Sequence, residues 1–156
     1  MAWSTSKVFA YTTGQTLAKA VSWSADTIKV ALYSSNTMTP DNTVTTAALT
    51  QYNGTSSQWV TANEVSGTGY TAGGVTVTPT TLTQNFNSQG NNTIAFSSSG
   101  SPQWTSATIT AYGCLVYDTT VSSDGLCFNY FGGAQSVTAG TFTIAWSANG
   151  IALFSC

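Results

Sequence analysis

Charge is what this chain has least of. Its 156 residues include three Lys and five Asp or Glu, with no Arg and no His, where an ordinary soluble domain is roughly a quarter charged. Without histidine, Ser-His-Asp and Cys-His nucleophile arrangements are excluded, and so is a histidine metal site. Lys7, Lys19 and Lys29 are the only cations. They are too few to neutralise a track of phosphates, so nucleic acid is not an expected partner. No apolar run reaches the roughly eighteen residues of a membrane helix, so no membrane partner is expected either. The opening "MAWSTSKVFAYTTGQ" lacks the apolar segment of a secretory signal, and synthesis in the cytoplasm is the expectation. Cysteine is scarce too. Cys114, Cys127 and Cys156 are an odd number, which argues against a fully paired disulfide framework, and Cys114 and Cys127 read as small buried apolar side chains.

What is present is strand chemistry. Thr, Ser, Asn and Gly supply the polarity, and from Ile28 onward Val, Ile, Thr and aromatics recur with period two between Gly, Asn and Ser breaks. "TIKVALYSS" places Ile28, Val30 and Leu32 on one face, "VTVTPTTLT" pairs Val75 with Val77, and "NTIAFSS" turns Ile94 and Phe96 inward. "SATITAYGCLVY" is the longest strand candidate, with Ala107, Ile109, Ala111, Leu115 and Tyr117 expected on one face. Asp124-Gly125 and Asn149-Gly150 mark turns. Short helical turns are expected near Leu17 to Ala20 and within "DNTVTTAALTQY", capped by Asp41 or Asn42. The fold class is therefore all-β: an antiparallel β-sandwich, Ig-like or jelly-roll-like, with one or two short helical turns. Residues 1–16 read as an N-terminal arm and 17–156 as a single sandwich domain. The sequons at Asn53 and Asn91 are chance matches in an Asn/Thr-rich chain.

The most punctuated stretch is "NEVSGTGYTAGG", Asn63 to Gly74. Gly67, Gly69 and Ala72 match the G-x-G-x-x-G/A pattern of dinucleotide loops, but that loop must open a helix whose N-terminus holds the pyrophosphate. Here "VTVTPTTLT" follows, a β-branched run with a proline, so no nucleotide cofactor is expected. Gly67, Gly69, Gly73 and Gly74 read as loop-shaping residues, with Tyr70 as anchor. Glu64, the only Glu, heads the loop either as a buried, loop-fixing carboxyl or as a solvated one. "STSK" at Ser4 to Lys7 lacks the partner motifs of an S-x-x-K nucleophile. Asp26, Asp41, Asp118 and Asp124 sit at turn signals, and no calcium-loop pattern occurs. No catalytic, cofactor or metal residue is assigned and the chain is read as a non-enzyme. The rival is a hydrolase using two carboxylates, Glu64 being one. Among the aromatics, Trp23 and Trp146 are expected to cap the core. Trp3 and Trp59, in polar irregular segments, are the interface candidates, with Phe9 and Tyr11 of the arm.

"DTIKVALYSS" at 26–35, "TPD" at 39–41, "NEVSGTGYTAGGVTVT" at 63–78 and "WTSATITAYGCLVYD" at 104–118 resemble, in this order, a set of small virion proteins of tailed bacteriophages, of the head-decoration or minor-capsid type. The resemblance runs from about Leu17 to Trp146, and this chain departs from it in carrying fewer acids and in its terminal cysteine. It implies a capsid decoration protein on the virion surface that binds the assembled head and stabilises it, with the major capsid protein as partner and a dimeric or trimeric homo-oligomer as the form. The alternative is a tail or fibre component, or a virion-displayed carbohydrate-binding module that stacks sugars on Trp or Tyr. On this reading the arm reaches a neighbouring subunit, and deleting Met1 to Thr13 is expected to abolish shell binding while the fold survives.

Overall fold

Alternation builds the strands. The computed structural model describes residues 3–18, 20–80, 83–85, 93–148 and 150–155, with 83–85 and 155 by their backbone alone. Asn91, Asn149, Cys156 and Lys19 lie outside the described residues. In β2 (Ile28–Tyr33), Ile28, Val30 and Leu32 join one apolar cluster while Ala31 and Tyr33 join another on the opposite face. Both faces of this strand are thus covered. β6 (Gln103–Asp118) and β7 (Asp124–Thr143) form a long antiparallel hairpin about residues 119–123. With β1 (Lys7–Val8) and β3 (Val75–Val77) they make a five-stranded sheet in the order β1-β7-β6-β2-β3. A second sheet orders β4 (Thr83–Asn85), β5 (Thr93–Phe96) and β8 (Ala152–Ser155) as β4-β5-β8. Every pairing is antiparallel. The all-β expectation is met.

The helices are short, and the second falls within the segment expected for it. α1 (Ala10–Leu17) ends where a turn was expected to begin, and α2 (Ala47–Thr50) is preceded by Thr46 and not by Asp41 or Asn42. Asp41 is engaged elsewhere. Its Oδ1 accepts the Thr43 N–H at 2.8 Å and the Thr43 hydroxyl at 2.7 Å, closing a local turn that competes with helix capping. No helix among the described residues is long and apolar enough to cross a membrane.

Two apolar clusters flank the large sheet. The first gathers Ile28, Val30, Leu32, Ile109, Cys114 and Val116, with Phe96 and Ala152 of the second sheet packed against it. Trp23 is buried there and Trp146 is half-buried beside it. The second gathers Trp3, Phe9, Tyr33, Trp59, Leu115 and Phe128. This corrects the reading of β6 as a strand with one apolar face. Ala107, Ile109 and Ala111 face the first cluster, whereas Leu115 and Tyr117 face the second. The change of face falls where the ladder shifts register: Ala111 pairs with Gln135 but Gly113 pairs with Tyr130.

The N-terminal segment also requires correction. Trp3 and Phe9 are 2% and 1% exposed, and Trp59 is fully buried. Trp3 meets Trp59 edge-on at 5.6 Å, Phe9 meets Phe128 at 5.2 Å, and Trp59 stacks on Phe128 at 5.6 Å. These three interface candidates are core residues of this chain, because they cover the second apolar face of the sheet. Tyr11 is half-buried. Over its described part the arm is not free: Lys7 and Val8 pair with Phe128 and Cys127, and Trp3 N–H donates to the Asn36 carbonyl at 2.8 Å. The same geometry overturns the expectation that the fold survives loss of Met1 to Thr13. Cys114 and Cys127 are buried and unbridged, and burial raises both thiol pKa values, as suits inert apolar fillers.

Candidate functional site

The loop 64–74 lies against β2 and β6, and its glycines permit that approach. At Gly74, φ is +67° and a Cβ would stand 1.8 Å from the Val30 carbonyl oxygen. At Gly67, a Cβ would fall 2.3 Å from the Thr108 carbonyl oxygen. Any side chain at either place forces the loop off the sheet. Gly69 sits beside Ala107, and Gly73 is buried beside the Tyr117 and Tyr52 hydroxyls and the Lys29 ammonium.

Glu64 pins this loop from inside. It bridges to Tyr33 at the end of β2 and is 5% exposed. Its Oε2 accepts the Tyr70 hydroxyl at 2.5 Å and the Gly73 N–H at 2.9 Å. The Tyr70 hydroxyl in turn accepts the Leu32 N–H at 2.9 Å, and Tyr117 donates to the Gly73 carbonyl at 2.8 Å. Tyr52 stacks on Tyr117 at 4.7 Å and shares a hydrogen bond with the Thr61 hydroxyl at 3.3 Å, while Glu64 Oε1 is buried without a hydrogen-bond partner among the described residues. Burial first, and then Glu64, push the Tyr33 and Tyr70 hydroxyl pKa values up, and burial also raises that of Tyr117; Tyr70 and Tyr117 donate, whereas the buried Tyr33 hydroxyl has no hydrogen-bond partner among the described residues. The loop-fixing reading of Glu64 holds, and so does Tyr70 as anchor. Sequence reasoning missed Tyr33, Tyr52 and Tyr117, which come from three separate segments. The only signal was the solitary Glu ahead of four glycines.

A second carboxyl group is buried at the hairpin end. Asp118 is fully buried; its Oδ1 accepts the N–H groups of Thr120 at 2.7 Å and Val121 at 3.3 Å. Its Oδ2 is buried without a hydrogen-bond partner among the described residues, and the Asp26 carboxyl group stands near enough to act on it electrostatically. Burial, followed by Asp26, pushes the Asp118 pKa up to about 6. Asp124, across the hairpin, accepts Gln51 Nε2 at 2.9 Å, and burial raises its pKa.

Neither carboxyl site has the form of hydrolytic machinery. Two glycosidase carboxylates stand roughly 5–9 Å apart with the scissile bond between them, whereas Asp118 is fully buried, its Oδ1 held by the N–H groups of its own turn. Glu64 is enclosed by tyrosines and backbone. No group of three or more Cys, Asp or Glu side chains suited to a metal ion occurs among the described residues. The tryptophans that a sugar platform would use are inside as well: Trp3, Trp23, Trp59 and Trp104 are buried and Trp146 is half-buried.

The outer surface is distinctive in its neutrality. Glu64, Asp118 and Asp124 are buried, and Asp26 and Lys29 are half-buried, so among the described residues Lys7 and Asp41 are the charged side chains that stand fully exposed. No protein-family model, curated protein or solved structure matches this chain.

Proposed function

We propose that this chain is a non-enzymatic virion structural protein, a capsid decoration or minor capsid protein that binds the assembled phage head. The observation that carries the reading is the neutral exterior: a subunit with almost no exposed charge meets copies of itself or a shell without electrostatic repulsion to overcome. The carboxyl groups that might have served chemistry are spent on holding loops, which fits a passive binding subunit. The segments that resemble phage virion proteins also fall together, since "DTIKVALYSS" supplies β2, "WTSATITAYGCLVYD" supplies β6, and "NEVSGTGYTAGG" is the loop laid across both. A protein that binds only the assembled shell adds its binding free energy to shell stability.

Copy number in purified virions, measured by quantitative mass spectrometry against the major capsid subunit, tests this. Abundance comparable to the capsid subunit supports decoration of the whole shell. A few copies per particle would move the chain to a tail or fibre, and absence from the virion would overturn the proposal.

A further inference from the structure

The two long strands are treated differently along their outer edges. β2 covers β6 only from Gly113 to Asp118. Beyond that, the glycine loop takes over: Thr108 N–H donates to the Thr68 carbonyl at 3.0 Å, with Gly67 and Gly69 pressed against Thr108 and Ala107. β7 has no such cover. β1 pairs with it at Cys127 and Phe128, and Ser6 Oγ accepts the Tyr130 N–H at 2.9 Å. From Phe131 to Thr143, β7 has β6 on one side and, among the described residues, no strand on the other.

Open strand edges in natural proteins are blunted by charge, proline or bulges, because an unpaired ladder accepts another chain. Residues 125–156 contain no charged side chain and no proline. Bulges alone remain, at Phe131 to Ala134 and between Val137 and Gly140, where Ala139 has φ +49°. They leave two regular runs, Gln135–Val137 and Gly140–Thr143. Open hollows of about 360 and 350 Å³ that share Phe131, Ile144 and Ala145 lie alongside, so the edge is approachable.

We propose that this edge is a self-association surface whose occupant is β7 of a second copy, laid antiparallel about a two-fold axis near Thr138 and Ala139. Antiparallel pairing is self-complementary under such an axis. It sets Gln135–Val137 of one copy against Gly140–Thr143 of the other, with the central bulges at the axis where they interrupt neither run. The residues that meet are neutral on both sides, Ser136, Thr138, Thr141 and Thr143 being exposed. A second copy therefore meets no like charge, while a charged peptide gains nothing here. The inference rests on strand geometry and stands whether or not the chain serves in a virion.

Sedimentation of the full chain at micromolar concentration tests it. The expected species has twice the 16.2 kDa monomer mass, and amide exchange over Gln135–Thr143 slows as protein concentration rises. Thr138→Lys with Thr141→Lys brings like charges together across the axis and raises the dimer dissociation constant about tenfold or more, with circular dichroism unchanged. A chain that stays monomeric, a stoichiometry other than two, or a dimer indifferent to the lysines overturns the proposal. If the lysine variant fails to fold, Thr138→Cys in a Cys156→Ser background decides: oxidation links two copies through position 138 if the axis lies there, and failure to link rejects it.

Discussion

At the residue scale, Glu64 is the side chain whose loss is felt furthest. Glu64→Ala orphans the Tyr70 hydroxyl and the Gly73 N–H in a buried site, at about 1–3 kcal/mol for each unsatisfied group. Glu64→Gln keeps an acceptor for both donors and is expected to lose less. Urea unfolding of the two variants checks the order, and equal losses would show that the carboxyl group does not pin the loop. Asp118 makes a prediction in pH. Its pKa stands near 6 in the folded chain against 3.8 ordinarily, so the native state holds the extra proton. The stabilisation this gives is complete below about pH 4 and is lost as pH rises through about 6. Asp124, raised in the same direction, adds to the slope. Thermal unfolding from pH 4 to pH 7 should therefore show falling stability, and Asp118→Asn should flatten the profile. A slope unchanged in that variant would mean that Asp118 is not the group responsible.

At the scale of elements, what was legible in the sequence was alternation, and what was hidden was partnership. Ile28, Val30 and Leu32 announce their common face because every neighbour in the pattern is local, and Val75 and Val77 do the same. The change of face between Ala111 and Leu115 was invisible because the register shift at which it falls is a property of the paired ladder. The N-terminal segment was misread for the same reason. Trp3 stands among Ser and Thr with no period to mark it, and its contacts come from Trp59 and Phe128. The Glu64 site was half legible: the loop and its anchor could be read, while three of its tyrosines are dispersed. Because α1 and β1 bring Phe9 and Val8 to the sheet, removing Met1 to Thr13 is expected to abolish cooperative unfolding. Trp3→Ala or Phe9→Ala alone should each lose about 3–5 kcal/mol. A truncated chain that still melts sharply would restore the arm as a separate element.

For the whole molecule, the sparse exterior charge carries its own expectation. Screening has little to act on, so the melting temperature should change little between about 0.05 and 1 M sodium chloride, although the Debye length shrinks severalfold over that range. A marked salt dependence would point to half-buried Asp26 and buried Asp118 as a stronger electrostatic element than the surface suggests.

The pairing of Lys7 with Phe128 and of Val8 with Cys127 also sets an order of events during synthesis. Trp3 and Phe9 leave the ribosome well before Phe128, the β7 residue they pack against. Until β7 has emerged, these aromatic side chains are without their sheet, and because domains fold as units, the chain is exposed to misassembly in that interval. Once the hairpin closes, Trp3 and Phe9 are sealed against it.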